Sequence, residues 1–239
     1  MNKLIIKARS VARRMGLKRI YYRFAPRHSY EEKFHNEISA EIRQGDIVWD
    51  VGANLGFYTK LFAEKAGDTG RVVAFEPVPA THEELCRETC AYPSVQNEQM
   101  ALGDFDGSSR LLVPKSNTVF QRKGLDTVGH LENFAGEETT GISVEVPVKR
   151  GDSYWAASGI TPNVMKIDVE GFEEEVLDGM KSLLAAPELR AVFVEVHFEI
   201  LESRGRSDAP MRIEKLLRSK GLTPRWVDGS HISAKRRLA

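Results

Sequence analysis

The sequence predicts an α/β domain with a mostly parallel sheet and helices on both faces. Short apolar segments alternate with helical segments along most of the 239 residues, and turns containing Gly or Pro separate them. Such alternation is typical of parallel strands connected by helices. The length and the 41% hydrophobic content suit one domain with a full core.

The predicted elements follow one another from residue 30 to residue 227. Phe34, Ile38 and Ile42 lie at helical spacing and predict a first helix at residues 30–43. Further helices are predicted at residues 57–66, 82–90, 173–184 and 210–219. Strands are predicted at residues 47–51, 71–75, 95–100, 109–113, 143–148, 164–167, 191–198 and 223–227. The long irregular segment 116–141 is typical of a binding element or a disordered loop.

Two regions are predicted: a basic helical extension at residues 1–43 and the α/β domain at residues 44–239. Within residues 1–24, apolar side chains recur at helical spacing among eight Lys and Arg. The pattern predicts an amphipathic helix packed on the domain, and the alternative is weak contact with an anionic membrane surface. No apolar run approaches the roughly 20 residues that span a bilayer, and no signal peptide is evident. We therefore expect a cytoplasmic protein, with a location at the membrane periphery as the alternative.

Charge and cysteine content exclude some classes of protein. Lys+Arg and Asp+Glu both total 34, so the charge does not favour a surface built to bind nucleic acid. Cys86 and Cys90 are four residues apart on a predicted helix, without the further ligands that a metal site needs. We expect them to be reduced thiols.

The turn after the first predicted strand, around Gly52, favours a cationic nucleoside cofactor. A dinucleotide fold requires Gly-x-Gly-x-x-Gly, whereas Asn54 stands at the second glycine, and Tyr58 and Thr59 lie around the third. Asp50 precedes the turn, where a carboxylate is unfavourable beside a pyrophosphate but favourable beside a cation. S-adenosylmethionine has a sulfonium and an ammonium and no phosphate. The charges therefore favour it over a nicotinamide dinucleotide, which remains the alternative.

The end of the second predicted strand supports the same cofactor. Glu76 directly follows that strand, where an acid can accept hydrogen bonds from both ribose hydroxyls of an adenosine. Asp50 and Glu76 at successive strand ends are more specific together than either acid alone.

Five segments in order resemble the FkbM family of S-adenosylmethionine-dependent methyltransferases. They are DVGANLGFYT at 50–59, AFEP at 74–77, ALGD at 101–104, MKIDVEGFE at 165–173 and VEVH at 194–197. The resemblance implies that residues 44–239 form a Rossmann-like class I methyltransferase domain with a seven-stranded sheet. It also implies O-methylation of sugars or natural products.

The resemblance assigns cofactor contacts residue by residue. The residues implied at the methionine end of the cofactor are Asp50, Gly52, Asn54 and Gly56, and the predicted set also includes Tyr58 and Thr59 of the same segment. Glu76 is implied to hold the ribose, and Ala101 and Leu102 to lie near the adenine. The chain departs from the family at Arg150-Gly151-Asp152, where only the acid of the usual Leu-Asp pair is kept, and in its short basic end after Val227.

Methyl transfer to a hydroxyl requires an aligned acceptor oxygen and a base or a metal. Ionisable residues in strands that are buried on both faces are costly unless paired or functional. Lys166 and Asp168 lie on one such strand with Glu170 after it, and Glu195 and His197 lie on another. We predict His197 as general base, oriented by Glu195, with Asp168 and Glu170 shaping the acceptor site.

Two alternatives remain open at this site. One is a buried structural network with Lys166 as counter-ion. The other is a divalent metal bound by Asp168, Glu195 and His197. The remaining histidines are predicted to be surface or packing residues: His28, His35, His82, His130 and His231.

The predicted function is O-methylation of a sugar, glycolipid or natural-product hydroxyl, with a small-molecule or glycan acceptor and no nucleic acid. The alternatives are a non-catalytic adaptor with the same fold and a nicotinamide-dependent oxidoreductase. We expect the segment 116–141 and the basic extension to select the acceptor.

Overall fold

A computed structural model describes residues 28–114, 130–131 and 141–236, and the eleven strands in these ranges form two sheets. The strands of the larger sheet are β1 Ile47–Val51, β2 Arg71–Phe75, β3 Val95–Glu98, β8 Val164–Ile167, β9 Ala191–Glu195, β10 Leu222–Trp226 and β11 His231–Arg236. Those of the smaller sheet are β4 Ala101–Gly103, β5 Gly107–Pro114, β6 His130–Leu131 and β7 Gly141–Arg150.

The larger sheet has the order β10-β11-β9-β8-β1-β2-β3, which confirms the predicted seven strands. Among the described strands of this sheet, β11 is the one that runs antiparallel to its neighbours. Strand β1 pairs in parallel with both β2 and β8. The strand order reverses direction at β1, and the carboxyl ends of strands at such a point form a ligand-binding crevice.

Helices cover both faces of this sheet. They are α1 His28–Glu41, α2 Phe57–Ala66, α3 Pro79–Thr89, α4 Gly151–Ser158, α5 Glu173–Asp178, α6 Phe198–Ser203 and α7 Ala209–Ser219. On one face Phe34 and Ile38 of α1 pack in a cluster with Phe62 and Phe193. The described part of the predicted extension therefore shares a core with the α/β domain, and residues 1–27 lie outside the described residues.

The smaller sheet has the order β4-β7-β5-β6. Strands β5 and β7 correspond to the two strands predicted in the irregular region, and they pair antiparallel from Gly107↔Val148 to Pro114↔Gly141. Most of the predicted irregular segment 116–141 lies outside the described residues.

Two predicted elements end early. The helix predicted at 173–184 ends at Asp178. Gly179 follows it in close contact with β4, where a Cβ would lie 1.7 Å from the carbonyl oxygen of Gly103. The strand predicted at 191–198 ends at Glu195, because its partner β11 begins opposite that residue. His197 is consequently the residue that precedes α6 rather than a strand residue.

Helix α4 was not predicted, and it begins in the Arg150-Gly151-Asp152 segment. The Asp152 carboxylate accepts hydrogen bonds from the backbone N–H groups of Ser182 and Leu183. It therefore anchors the short 3-10 turn Leu183–Ala185. None of the described helices is long and apolar enough to cross a membrane.

Candidate active site

A cleft opens at the carboxyl ends of β1, β2 and β8. It is lined by five predicted cofactor residues and two predicted catalytic ones: Gly52, Asn54, Glu76, Ala101, Leu102, Asp168 and Glu170. Its place beyond the carboxyl ends of the strands, where the strand order reverses, is the usual position of a ligand site in such sheets.

The β1 turn requires backbone conformations that few residue types adopt. Gly52, Asn54 and Gly56 have φ values of +80°, +51° and +79°. Asn is one of the few residues with a side chain that tolerates this left-handed region, which explains Asn54 in place of the glycine of dinucleotide folds. A Cβ on Gly52 would lie 1.9 Å from the carbonyl oxygen of Asp168. The glycine is thus needed for the close approach of β1 and β8.

Asp50 does not line the cleft, in contrast to the prediction, because its side chain is buried behind the β1 turn. One carboxylate oxygen accepts a hydrogen bond from the Thr59 hydroxyl at 2.7 Å. The other lies 3.5 Å from the Lys166 ammonium and has no hydrogen-bond partner. Gly56 and Tyr58 also lie outside the cleft wall. Asp50, Gly56 and Tyr58 therefore support the β1 turn without lining the cleft.

Lys166 connects this buried layer to the cleft. Its ammonium lies 3.2 Å from Asp168, 3.5 Å from the Gly52 carbonyl oxygen and 5.0 Å from the centroid of the Tyr58 ring. Burial lowers the pKa of Lys166, but the carboxylates of Asp168 and Asp50 outweigh burial and raise it above its ordinary value. Lys166 therefore remains charged as a counter-ion, as in the network alternative.

Glu76 is a buried carboxylate on the cleft wall. One oxygen accepts a hydrogen bond from the Asn54 N–H at 3.1 Å, and the other accepts one from the Val78 N–H at 2.9 Å. Burial raises the pKa of Glu76 to about 7, although these two hydrogen bonds oppose the rise. Glu76 thus lies in the cleft wall, and its role at the ribose stays a prediction.

Three of the predicted catalytic residues, Asp168 and Glu170 after β8 and His197 after β9, lie close together at the edge of the cleft. The Nε2 atom of His197 lies 3.2 Å from Glu170 and 3.7 Å from Asp168. Its Nδ1 atom lies 2.7 Å from Glu173, a fully buried residue whose same oxygen accepts a hydrogen bond from the Gly171 N–H. Glu170 has a φ of +51°, a strained backbone conformation of the kind found at functional sites.

The charges of this group shift two of its pKa values. Burial lowers the pKa of His197, but the carboxylates of Glu173, Glu170 and Asp168 outweigh burial and raise it to about 10. Burial and the neighbouring carboxylates raise the pKa of Glu170 to about 7, against the opposing charge of His197. At neutral pH the imidazole is therefore protonated on both nitrogens and positively charged.

The predicted orientation of His197 by Glu195 is wrong, because β9 ends between the two residues. Glu195 lies 3.4 Å from Nε2 of His231 instead, and Nδ1 of His231 lies 2.8 Å from Asp228. Burial lowers the pKa of His231, but Asp228 and Glu195 outweigh burial and raise it to about 9. His231 also stacks on Phe34 at 4.1 Å, so it packs in the core as predicted, but as part of an ion-pair network.

Sequence analysis did not assign a role to Glu173. It ends the quoted MKIDVEGFE segment and opens helix α5, where an acid is ordinarily explained by the helix dipole. Glu173 is completely buried in the structure, and a buried acid requires a partner. The sequence alone did not indicate this burial.

Comparison with known proteins gives matches over most of the chain. Residues 50–221 match the methyltransferase FkbM domain. Hexuronic acid methyltransferase AglP of Haloferax volcanii is 30% identical over 162 residues, which are 66% of this chain and 58% of that protein. The 31-O-demethyl-FK506 methyltransferase FkbM of Streptomyces tacrolimicus is 29% identical over 194 residues, 73% of this chain and 74% of that protein. The chain thus spans little more than half the length of AglP.

A solved structure shares the fold. A Streptococcus mutans protein in complex with SAH superimposes with a TM-score of 0.50 at 11% identity, over 87% of this chain and 98% of that one. The likeness shows the Rossmann-like class I methyltransferase fold.

Proposed function

We propose that this chain, which belongs to the FkbM methyltransferase family, transfers the methyl group of S-adenosylmethionine to a hydroxyl oxygen of a sugar or natural product. The observation that carries the proposal is the acidic cleft at the switch point of the sheet, with Glu76 buried in its wall. The names of the two relatives, a hexuronic acid methyltransferase and a demethyl-FK506 methyltransferase, supply the acceptor classes.

The donor would suit the cleft by charge. Glu76 would accept hydrogen bonds from the ribose hydroxyls, and Ala101 and Leu102 would form the wall beside the adenine. Gly52 and Asn54 would hold the methionine end, with its ammonium and sulfonium, near the carboxylates of Asp168 and Glu170. A nicotinamide dinucleotide would bring two phosphates to the same carboxylates, which is the physical reason to prefer the sulfonium donor.

The reaction is an in-line displacement at the methyl carbon. The acceptor oxygen forms the new O–C bond, the S–C bond breaks with its electron pair remaining on sulfur, and the hydroxyl proton goes to a base. We assign the base to His197 in its neutral form. A pKa of about 10 keeps it protonated before the donor binds, and the cationic donor opposes that charge and favours loss of the proton.

Labelled donor offered to defined acceptors tests the function. Methyl-labelled S-adenosylmethionine is incubated with hexuronic-acid glycans, lipid-linked sugars and O-demethylated macrolides. We expect label in an ether that survives mild base. Label in a base-labile ester would show that the acceptor oxygen belongs to a carboxylate and not to a hydroxyl. If no acceptor class is labelled, the proposal is overturned in favour of a non-catalytic adaptor.

Two variants test the site. His197→Ala and Asp168→Asn should lower methyl transfer about 10²- to 10⁴-fold, the range for general acid–base groups. Donor affinity measured by calorimetry should change less than about threefold for His197→Ala, since the base does not hold the nucleoside. Unchanged turnover in both variants would contradict the catalytic assignment while leaving the donor site intact.

A further inference from the structure

Three ligand-type atoms converge beside the cleft: one oxygen each of Asp168 and Glu170, and Nε2 of His197. They all lie within 4.8 Å of one another, and all three side chains are partly exposed. Two carboxylates and one imidazole are a ligand set that borderline divalent ions accept, with positions left for water or substrate.

The distances are close to those of ligands that share one ion. Nε2 of His197 is 3.2 Å from Glu170 and 3.7 Å from Asp168. Adjacent ligands of an octahedral ion lie about 3.0 Å apart when each is about 2.1 Å from the ion. The two distances from Nε2 exceed this spacing by less than about 1 Å, and the two carboxylate oxygens lie within 4.8 Å of each other, so side-chain rotations would be needed to bring all three atoms to one ion.

A second observation concerns the other nitrogen of the imidazole. Nδ1 of His197 is 2.7 Å from Glu173, which has no exposed surface and is not one of the three ligands. A carboxylate that accepts Nδ1–H fixes the ring and directs the Nε2 lone pair outward, as in most histidine–metal sites of proteins. Glu173 is a buried carboxylate in this position, and its bonds to His197 and to the Gly171 N–H offset the cost of burying it.

We propose that Asp168, Glu170 and His197 bind one divalent cation, and that Glu173 positions His197 for it. Glu195, the third ligand in the sequence-based set, is excluded because it pairs with His231. Under the proposed function, the ion would coordinate the acceptor hydroxyl and lower its pKa. The hydroxyl proton would then pass to water rather than to His197, since Nε2 of His197 would be bound to the ion and Nδ1 to Glu173.

Binding of Mn²⁺ to the full chain tests the proposal without any turnover. After treatment with EDTA, the protein is titrated with Mn²⁺ and free ion is measured by electron paramagnetic resonance. We expect one saturable ion per chain. Pulsed measurements should show a hyperfine coupling from one imidazole nitrogen, and His197→Gln should abolish it.

Matched carboxylate variants identify the ligands. Glu170→Gln should weaken Mn²⁺ binding at least about tenfold, and Glu173→Gln about 10- to 100-fold, the range for groups that orient a metal-binding histidine. Glu195→Gln is the control, since it removes a neighbouring carboxylate outside the ligand set, and it should change affinity less than about threefold. Circular dichroism establishes that each variant is folded. Glu170, in a partly exposed turn, decides the case if Glu173→Gln unfolds.

The results separate this inference from the proposed function. No saturable binding up to millimolar Mn²⁺, or equal weakening by Glu195→Gln and Glu170→Gln, would overturn the metal site. If methyl transfer persists in EDTA and no Mn²⁺ binds, the metal site is rejected and the proposed methyltransferase function stands. If Mn²⁺ binds specifically but no acceptor is methylated, the metal site stands and the proposed methyltransferase function is rejected.

Discussion

Gly52 satisfies two separate constraints where β1 and β8 approach each other at the cleft. Its φ of +80° is one constraint, and the approach of the Asp168 carbonyl oxygen to 1.9 Å from a hypothetical Cβ is the other. The Asp168 contact involves backbone, which cannot move aside as a flexible side chain would. The residue that places the cofactor turn is therefore also one that the fold needs.

Gly52→Ala should lower the free energy of unfolding by about 2–5 kcal/mol. A left-handed conformation costs an alanine about 1–2 kcal/mol, and the clash adds about 1–3 kcal/mol. Urea denaturation measures the change. Gly159→Ala is the matched control, because Gly159 has a φ of +67° with no atom within 4 Å of the added Cβ. It should cost about 1 kcal/mol, and equal losses in the two variants would contradict the role of the clash.

Glu76→Gln should raise stability and lower donor affinity. The pKa of Glu76 rises from 4.5 in the unfolded chain to about 7 in the folded protein. The penalty is therefore absent below pH 4.5 and complete above about pH 7, where it reaches up to about 3 kcal/mol. Urea denaturation at pH 4 and pH 8 should show no difference from wild type at the lower pH and a more stable variant at the higher one. Calorimetry at pH 8 should show at least about tenfold weaker S-adenosylmethionine binding.

A variant that is destabilised at both pH values would show that Glu76 is a structural acceptor for Asn54 and Val78 alone. Unchanged donor affinity would separate Glu76 from the cofactor. The two measurements are independent, so each part of the prediction can fail without the other.

At the scale of elements, local patterns predicted the β1 turn but not the orientation of His197. Gly52, Asn54 and Glu76 follow short apolar segments, and their meaning depends only on neighbouring residues and on charge. The position of His197 depends on where β9 ends, which is set by β11, more than thirty residues later in the chain. Continuing the strand alternation by two residues put Glu195 and His197 on one face, and the early end of β9 separates them.

The smaller sheet illustrates the same limit. Both of its long strands were predicted. Their pairing with each other, and the parallel pairing of β4 with β7, join distant segments and were not predicted. Leu111 of β5 lies in the cleft wall and packs with Val78 and Val146. Sequence reasoning missed Leu111 as a wall residue, because an apolar strand residue gives no sign of which cavity it borders.

His231 should tie β11 to β9 and α1 in a pH-dependent way. Its pKa is raised from 6.5 to about 9 by Asp228 and Glu195, against burial. The raised pKa adds stability that is fully present below pH 6.5 and lost as the pH rises through about 9, up to about 3 kcal/mol. Urea denaturation from pH 6 to pH 10 should show this loss in the wild type.

His231→Gln should be less stable than the wild type at pH 6, and its stability should fall less between pH 6 and pH 10. Asp208→Asn is the control, because Asp208 is an exposed acid on a different element and its removal should leave the pH slope in this range unchanged. Parallel curves for His231→Gln and wild type would count against the ion-pair network as the source of the pH dependence.

At the scale of the whole molecule, a neutral chain contains a strongly uneven charge distribution. Lys+Arg and Asp+Glu both total 34, yet the described residues in and beneath the cleft include the carboxyl groups of Asp50, Glu76 and Asp168 around the single ammonium of Lys166. Buried like charges destabilise the folded state. A cationic ligand relieves this repulsion, whereas a phosphorylated ligand adds to it.

S-adenosylmethionine should therefore raise the melting temperature, and NAD should not. A ligand at about 100 times its Kd adds about 2.7 kcal/mol, and a domain of this size gains about 2–4 °C per kcal/mol, so the expected rise is about 5–10 °C. The shift is measured by differential scanning fluorimetry at low and at 0.5 M salt. Because the carboxylates are buried, added salt should reduce the shift only slightly. A rise of similar size with NAD, or none with S-adenosylmethionine, would contradict the electrostatic basis of cofactor choice, since repulsion among these carboxylates is the term that a cationic donor removes.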